Sequence, residues 1–515
     1  MLERWASSNW KLPALSGAIL AVAYYSPLFL SNSIAFLPLL FWLDARPAGS
    51  PPRAFRTGLV FGLTTHLITM HFCYATLRFT WLGSLMYLGT ALALALKIAL
   101  FFMILSWLRR RTRLGYPLLL LASWLPLEGL ATFGDLRMTA DHLAHSLTGL
   151  PFLIQFADLV GPYGVGAVML LVNGLLYELF FDRIRSRRRR AAIGLAFMLL
   201  AVLAYDAWAW NREAPAGERA RIALIQPNIP IQVKFDSNTT YAEQWKVLVE
   251  LSQEAAELDP DLIVWPESAV PWPLVHRLDQ PETFDLPIVR DLARELGTAL
   301  LVGVEYYRVE APGDFDLYNA AMAIDAQGTL LPEWGAKVYL VPFVEATPFR
   351  KLFGPLVAGR GGEWRWLAGV FQPGPPNVVV DVAGARIGTL VCYEQLFPDL
   401  SRDLRNAGAQ IQMVITNDAW WGRSAFQRFQ ANALRLRAIE NRTEFVRVAN
   451  TGISGFVDRR GRYHHETPLF EEGVAIRDVT LATAPTLYDR TGDLVLWLSM
   501  LALAASALLA ALRPR

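Results

Sequence analysis

RIGTLVCYEQLFP, residues 386–398, decides how the rest of the chain is read. Its first half, Ile387 to Val391, is apolar with β-branched and small members, and it stops abruptly at Cys392-Tyr393-Glu394, ahead of a helix-compatible stretch. The pattern predicts a buried strand that delivers a cysteine to its C-terminal end. In open α/β folds the side chains at that end face a crevice instead of packed core, and reactive groups gather there. Cys392 is one of only two cysteines, so a disulfide framework is excluded. The residue reads either as a reactive thiol or as a small buried hydrophobe, and this stretch alone leaves both open.

Around it, from Ala220 to about Leu487, the composition is that of a soluble α/β domain. Strand-like runs occur at 222–226, 262–265, 299–304, 320–324, 378–382, 387–391, 411–416, 445–448 and 453–457. Amphipathic helical stretches lie between several of them, at 241–257, 288–296, 395–406 and 426–441. Strands that alternate with helices, with some strand pairs joined directly, imply a layered α/β sandwich. At roughly 270 residues such a domain buries its own core.

Two further stretches end in reactive groups. In LIVWPES, residues 262–268, an apolar strand stops at Glu267 behind a proline; in WGAKVYLVPFVE, residues 334–345, Lys337 stands among apolar and aromatic residues, with Glu345 at the end. Singly, Glu267 reads as a carboxylate at a turn, Lys337 as a snorkelling lysine and Glu345 as an ion-pair partner. Together with Cys392 they make one site. A cysteine attacks an acyl carbon as thiolate, and a carboxylate base takes its proton. A nearby ammonium stabilises the thiolate and then the oxyanion, and a desolvated carboxylate hands the proton to a leaving group.

The remainder of the chain is of another kind. Over 515 residues, 53% are hydrophobic and 18% charged, and mean hydropathy is +0.29, which is too apolar for a purely soluble protein. Apolar segments at 12–30, 33–43, 58–77, 85–108, 116–130, 165–181, 193–210 and 494–512 approach the length of a membrane crossing, the second and fifth being short. Arginines cluster after the second, fourth and sixth segments (Arg46, Arg53 and Arg56; Arg109 to Arg111 and Arg113; Arg183, Arg185 and Arg187 to Arg190) and are sparse in the alternate loops. By the positive-inside rule both termini are cytoplasmic, the α/β domain lies outside, and eight crossings are needed. That alternation, with a net charge of +2, argues against nucleic acid as a partner.

WPES, GAKVYLVPFVE and LVCYE resemble the Glu-Lys-Cys triad of the nitrilase, or carbon-nitrogen hydrolase, superfamily, and Asn417-Asp418-Ala419-Trp420-Trp421 resembles the segment that follows in its membrane branch. With an N-terminal multi-span block and one C-terminal span, the whole chain is similar to the apolipoprotein N-acyltransferases of bacterial envelopes. The resemblance implies a membrane domain of about eight transmembrane helices plus a nitrilase-like αββα sandwich. Its divisions are 1–215 for the first seven spans, 216–487 for a periplasmic catalytic domain and 488–515 for the last span. It implies Glu267 as general base, Lys337 as thiolate and oxyanion stabiliser and Cys392 as nucleophile, with support from Glu345, Tyr393, Glu394 and Asn319. Phe235 stands where some relatives carry tryptophan, which leaves an aromatic lid against lipid.

The implied reaction is ping-pong in the bacterial inner membrane. Cys392 takes an acyl chain from a phospholipid, typically phosphatidylethanolamine, as a thioester. The α-amino group of the N-terminal diacylglyceryl-cysteine of an apolipoprotein then accepts it. Tyr339, Phe343, Trp364 and Trp366 are the expected lipid contacts, the last two within an arm, 349–371, that mixes aromatics with Arg350, Lys351, Arg360 and Arg365. Cys73 reads as packing within the third span. The seven histidines lack the company of a zinc site and read as solvated or hydrogen-bonded, so no metal and no cofactor are expected. A monomer is the simplest assembly. Two rivals stand beside this reading. One is a membrane-tethered amidase acting on a small C–N substrate. The other is a transporter or receptor, which calls for ionisable residues buried in the spans, where Lys97, His66 and Glu128 are the main candidates.

Overall fold

The computed structural model describes residues 10–25, 29–46, 51–78, 82–213, 217–231, 233, 241–311, 314–342, 344–349 and 371–512. The chain forms two compact units, one of residues 1–212 with 491–515 and one of residues 213–490.

The first unit is helical. Its helices are α1 (Lys11–Tyr25), α2 (Leu37–Asp44), α3 (Pro51–Thr69), α4 (Leu82–Arg111), α5 (Tyr116–Leu130), α6 (Ala157–Phe181), α7 (Arg185–Asn211) and a C-terminal helix, Leu494–Leu512. Four of them, α4, α6, α7 and the C-terminal helix, are long and apolar enough to cross a membrane, while α1 and α5 are shorter apolar helices. The third apolar segment ends as an α-helix at Thr69 and continues as a 3-10 helix, His71–Arg78, so Cys73 lies in that tighter turn. His71 Nδ1, 2.8 Å from the Ile68 carbonyl, marks the change. α6 consists of two helical stretches that meet at a kink at Gly161, φ 66 and ψ −169, just before Pro162, and the expected start at Val165 lies in the second of them. α3 and α4 pack at backbone distance: a Cβ on Gly58 would lie 2.7 Å from the Ala99 Cα, and one on Gly62 2.7 Å from the Ala95 Cα.

The interior of this unit holds a cluster of ionisable groups. Lys97 on α4 pairs with Asp141, and His66 Nε2 on α3 lies 3.7 Å from the same carboxylate. The Tyr24 hydroxyl donates to the Asp141 carbonyl at 2.7 Å. Close by, Glu128 accepts from the Leu143 amide at 2.6 Å and lies 3.7 Å from His142 Nε2. His142 and His145 are thus buried, the former with its ring 4.7 Å from that of Tyr163. Sequence spacing hides this cluster because residues 139–148, read as a loop, fold back into the core.

The second unit holds two sheets. In chain order its elements are β1 (Arg219–Gln226), α8 (Tyr241–Ala256), β2 (Leu262–Val264), β3 (Leu274–Arg277), α9 (Pro287–Leu296), β4 (Ala299–Ala311), β5 (Asp314–Ile324) and β6 (Leu330–Ala336). Then come β7 (Val379–Val382), β8 (Ala385–Val391), α10 (Pro398–Asn406), β9 (Ile411–Thr416), α11 (Ala425–Asn441), β10 (Phe445–Ala449), β11 (Gly455–Val457), β12 (Tyr463–His464) and β13 (Gly473–Thr480). One sheet runs β13-β1-β2-β4-β5-β6 with β3 beside β4, and the other β12-β11-β10-β9-β8-β7. They face each other through β1 on β10 and β6 on β7 and β8, while α8 and α9 cover the first sheet and α10 and α11 the second. The layering is αββα. β6 and β13 do not read as strands in the sequence: LLPEWGA carries Pro, Glu and Gly, and GVAIRDVT is half exposed and set by its antiparallel register on β1.

Strand direction explains where reactive groups collect. β1, β2 and β4 are mutually parallel, as are β8, β9 and β10, so residues leaving their C-terminal ends emerge at the same edge. One glycine is indispensable to that edge. A Cβ on Gly303 of β4 would lie 2.2 Å from the Pro266 carbonyl oxygen and 2.9 Å from the Glu267 Cα, both unyielding backbone. Gly303→Ala is therefore expected to cost about 1–3 kcal/mol through overpacking and to displace Glu267. A lowered thermal unfolding midpoint is the expected result, and an unchanged one would refute this placement.

Candidate active site

Cys392 follows β8 directly and takes φ 59, a left-handed backbone that a residue with a Cβ seldom adopts. Its thiol is thereby turned out of the strand at the head of a 3-10 turn, Cys392–Leu396. Glu394 holds that turn. Its Oε2 accepts from the Val391 amide at 2.7 Å, and its Oε1 accepts from the Val338 and Tyr339 amides at 2.7 and 2.8 Å. One buried carboxylate thus ties the nucleophile turn to the segment after Lys337. Burial pushes Glu394 up to about 7 against the pull of those donors.

Lys337 leaves β6 with its side chain 1% exposed. Its Nζ donates to Glu345 Oε1 at 2.7 Å, lies 3.9 Å from Glu267 Oε1 and sits 5.2 Å from the ring centroid of Tyr393. Tyr393 in turn donates its hydroxyl to the Leu340 carbonyl at 2.9 Å. Burial alone would lower the ammonium, but Glu345, Cys392 and Glu267 outweigh it and hold Lys337 well above the ordinary lysine range. Glu345 completes its own shell by accepting from the Val341 amide at 2.8 Å; burial pushes its carboxyl upward while Lys337 pulls it back.

Glu267 is reached from both sheets. Oε1 accepts from Asn319 Nδ2 at 2.6 Å, and Oε2 accepts from the Asn417 amide at 2.7 Å. The first donor comes from β5 and the second from the turn after β9, so the carboxylate bridges the two layers. Both oxygens are fixed by donors, and the Lys337 ammonium is 3.9 Å from Oε1. Burial, followed by Glu267, pushes the Cys392 thiol far up, Lys337 pulling the other way.

The sequence reading thus has Glu267, Lys337, Cys392, Glu345, Tyr393, Glu394 and Asn319 placed in one cluster. Tyr339 belongs to its wall: its hydroxyl donates to Asp399 at 2.5 Å, and its ring lies 4.9 Å from that of Phe397. Phe235, Phe343, Trp364 and Trp366 lie outside the described residues, as do 350–370 of the arm. Sequence reasoning missed a buried layer behind the nucleophile. Arg447, at the centre of β10, donates from Nη2 to Asp418 at 2.9 Å, both side chains fully buried. Its Nε donates to Gln395 Oε1 at 3.1 Å, and Gln395 Nε2 donates to the Cys392 carbonyl at 3.0 Å. The available signal was a lone arginine inside the otherwise apolar strand FVRVA. Among the described residues no group of three or more His, Cys, Asp or Glu is arranged to hold a metal ion.

Two facing sheets with a cysteine, a lysine and a carboxylate at one edge define a carbon-nitrogen hydrolase fold, and residues 221–488 match the family model described as carbon-nitrogen hydrolase. Residues 16–175 match the apolipoprotein N-acyltransferase N-terminal domain. The apolipoprotein N-acyltransferase of Geobacter metallireducens is 33% identical over 98% of this chain and 95% of its own length. That of Allorhizobium ampelinum is 30% identical over 93% and 92%. A solved amidase from Nesterenkonia sp. is more distant, at 22% identity over 55% of this chain and 97% of its own, with a TM-score of 0.37. This chain belongs to the apolipoprotein N-acyltransferase family.

Two measurements follow from the geometry. Glu394→Gln puts an NH2 group against a backbone N–H, leaving a buried donor unpaired at about 1–3 kcal/mol. Because the folded protein raises the Glu394 pKa, its contribution is fully present below about 4.5 and is lost as pH rises through about 7. The variant is expected to unfold earlier and to lose that pH slope, compared by thermal unfolding at the two ends of the window. For Cys392, whose pKa is raised, alkylation by iodoacetamide is expected to keep accelerating past pH ~9, above an ordinary thiol; a plateau near neutrality would show a preformed thiolate instead.

Proposed function

We propose that this membrane-bound acyltransferase moves a fatty acyl chain from a phospholipid to the α-amino group of an apolipoprotein's N-terminal diacylglyceryl-cysteine, through a thioester on Cys392. The observation that carries the reading is the buried Cys392 thiol set within electrostatic range of Glu267 and of Lys337, whose ammonium donates to Glu345 at 2.7 Å. Glu267 takes the thiol proton as sulfur attacks the ester carbonyl. The ammonium of Lys337 stabilises the oxyanion that forms. Collapse breaks the ester C–O bond, and Glu267 returns the proton to the departing lysophospholipid oxygen. In the second half the acceptor amine attacks the thioester, Glu267 takes a proton from nitrogen, the C–S bond breaks, and the thiol is restored. Glu345, Asn319, Tyr393 and Glu394 position these three groups without touching the acyl carbon.

Both substrates are amphiphiles of one leaflet, so a catalytic domain fused to membrane helices turns a search in solution into a local one. The alternating arginine clusters support eight crossings with both termini cytoplasmic and residues 216–487 on the periplasmic face of a bacterial inner membrane. Phosphatidylethanolamine is the proposed donor, the arm 349–371 and Phe235 the proposed lipid-facing aromatics, and the monomer the proposed assembly.

The test is the intact mass of the detergent-purified protein after incubation with phospholipid and no acceptor. Wild type is expected to gain one fatty acyl mass that hydroxylamine removes, and Cys392→Ala none. Glu267→Gln is expected to acylate at least ~10²-fold more slowly. A wild type that stays unmodified, while a small amide is hydrolysed in a Cys392-dependent way, would refute the proposal.

A further inference from the structure

The helical unit contains a cleft of about 920 Å³ that the acyl-transfer chemistry does not use. It opens where α2, α4 and α6 end and where α5 and α7 begin, at the arginine-rich ends of these helices. We propose that it binds the phosphate headgroup of an anionic phospholipid.

In the floor of the cleft every carboxylate has hydrogen-bond donors. Asp44 accepts hydrogen bonds from the Tyr116 hydroxyl, from Arg109 Nε and Nη2 at 3.3 and 3.2 Å and from the Tyr177 hydroxyl at 3.1 Å. Arg109 also lies 4.5 Å over the Tyr116 ring. The other carboxylates of the lining are engaged by backbone: Glu178 accepts from the Tyr116 amide at 2.9 Å, and Asp182 accepts from the Ile184 amide at 2.7 Å. Asp182 is also only loosely paired with Arg187, at 3.7 Å.

The rim is left positive. With Arg46, Arg183 and Arg187 at the rim, the lining holds four arginines against the three carboxylates Asp44, Glu178 and Asp182, a formal excess of one positive charge. Arg183 is exposed and has no ion-pair partner among the described residues. α7 begins at Arg185, so the positive end of a 27-residue helix dipole adds to the same field. The field alone would attract any anion. The apolar wall narrows the choice to an amphiphile: the Phe41 and Phe181 rings lie 5.6 Å apart, and Phe181 and Ile184 are 40% and 49% exposed beside the arginines. A phosphate-bearing headgroup with its glycerol and first methylenes satisfies both surfaces, whereas a free phosphate satisfies one.

The test uses the full chain in detergent and counts retained lipid by native mass spectrometry with phosphatidylglycerol, phosphatidylcholine or inorganic phosphate. Wild type is expected to retain phosphatidylglycerol over phosphatidylcholine. The double variant Arg183→Gln/Arg187→Gln is expected to lose that preference roughly tenfold, while Arg189→Gln/Arg190→Gln, outside the cleft, keeps it. Equal loss in both variants would reduce the effect to diffuse basic charge and overturn the proposal, as would no loss in the first. Competition by inorganic phosphate at concentrations comparable to the lipid would overturn the lipid assignment in favour of a free anion.

Discussion

The catalytic unit is built around a buried ammonium. An isolated charge in a protein interior costs several kcal/mol, so Lys337 is tolerable only with close compensation. Glu345 supplies the direct ion pair, Glu267 the second negative charge and the Tyr393 ring a polarisable face. Each partner then needs its own support. Glu345 turns back onto the Val341 amide, Glu267 is held by Asn319 and the Asn417 amide, and Tyr393 is anchored to Leu340. Much of the edge of the sandwich is a consequence of keeping one lysine charged in the interior.

Behind the nucleophile a second buried cation has a structural task. Arg447 joins the Asp418 turn after β9 to Gln395 in the turn after β8, and Gln395 grips the Cys392 carbonyl. A left-handed cysteine needs such over-determination, because its backbone would otherwise relax to the extended form of the preceding strand. Glu394 acts from the other side, through three backbone amides. The direction of the Cys392 thiol is thus set by Arg447, through Gln395, and by Glu394, both acting on the backbone around it.

The helical unit solves a different problem. Its close α3–α4 contact depends on glycine, and its few ionisable groups meet in pairs: Lys97 with Asp141, and Glu128 beside His142. Charge inside an apolar bundle is tolerated when partners arrive from other segments. Here one partner arrives from residues 139–148, which fold inward. The surplus arginines remain at helix ends, where several line the cleft.

Apolar periodicity was enough to divide the chain, to find the helices near each of the eight apolar segments, and to name Glu267, Lys337 and Cys392, because runs of like residues and abrupt chemical stops are local properties. Glu345 stood out as an ion-pair partner, Tyr393 and Glu394 gained their supporting roles from resemblance and Asn319 was added beside them; the contacts of Asn319, Tyr393 and Glu394 are long-range. What the amino acids alone did not reveal has one physical cause: it depends on residues far apart in the chain. Strands β6 and β13 are strands because a neighbour pairs with them. Arg447 is a pillar because Asp418 and Gln395 are folded onto it. Gly303 is required by Pro266, which lies on another strand's exit. Local sequence determined the elements and the reactive side chains; tertiary structure decided which charges are compensated, since compensation at 3 Å is a matter of packing across the two sheets.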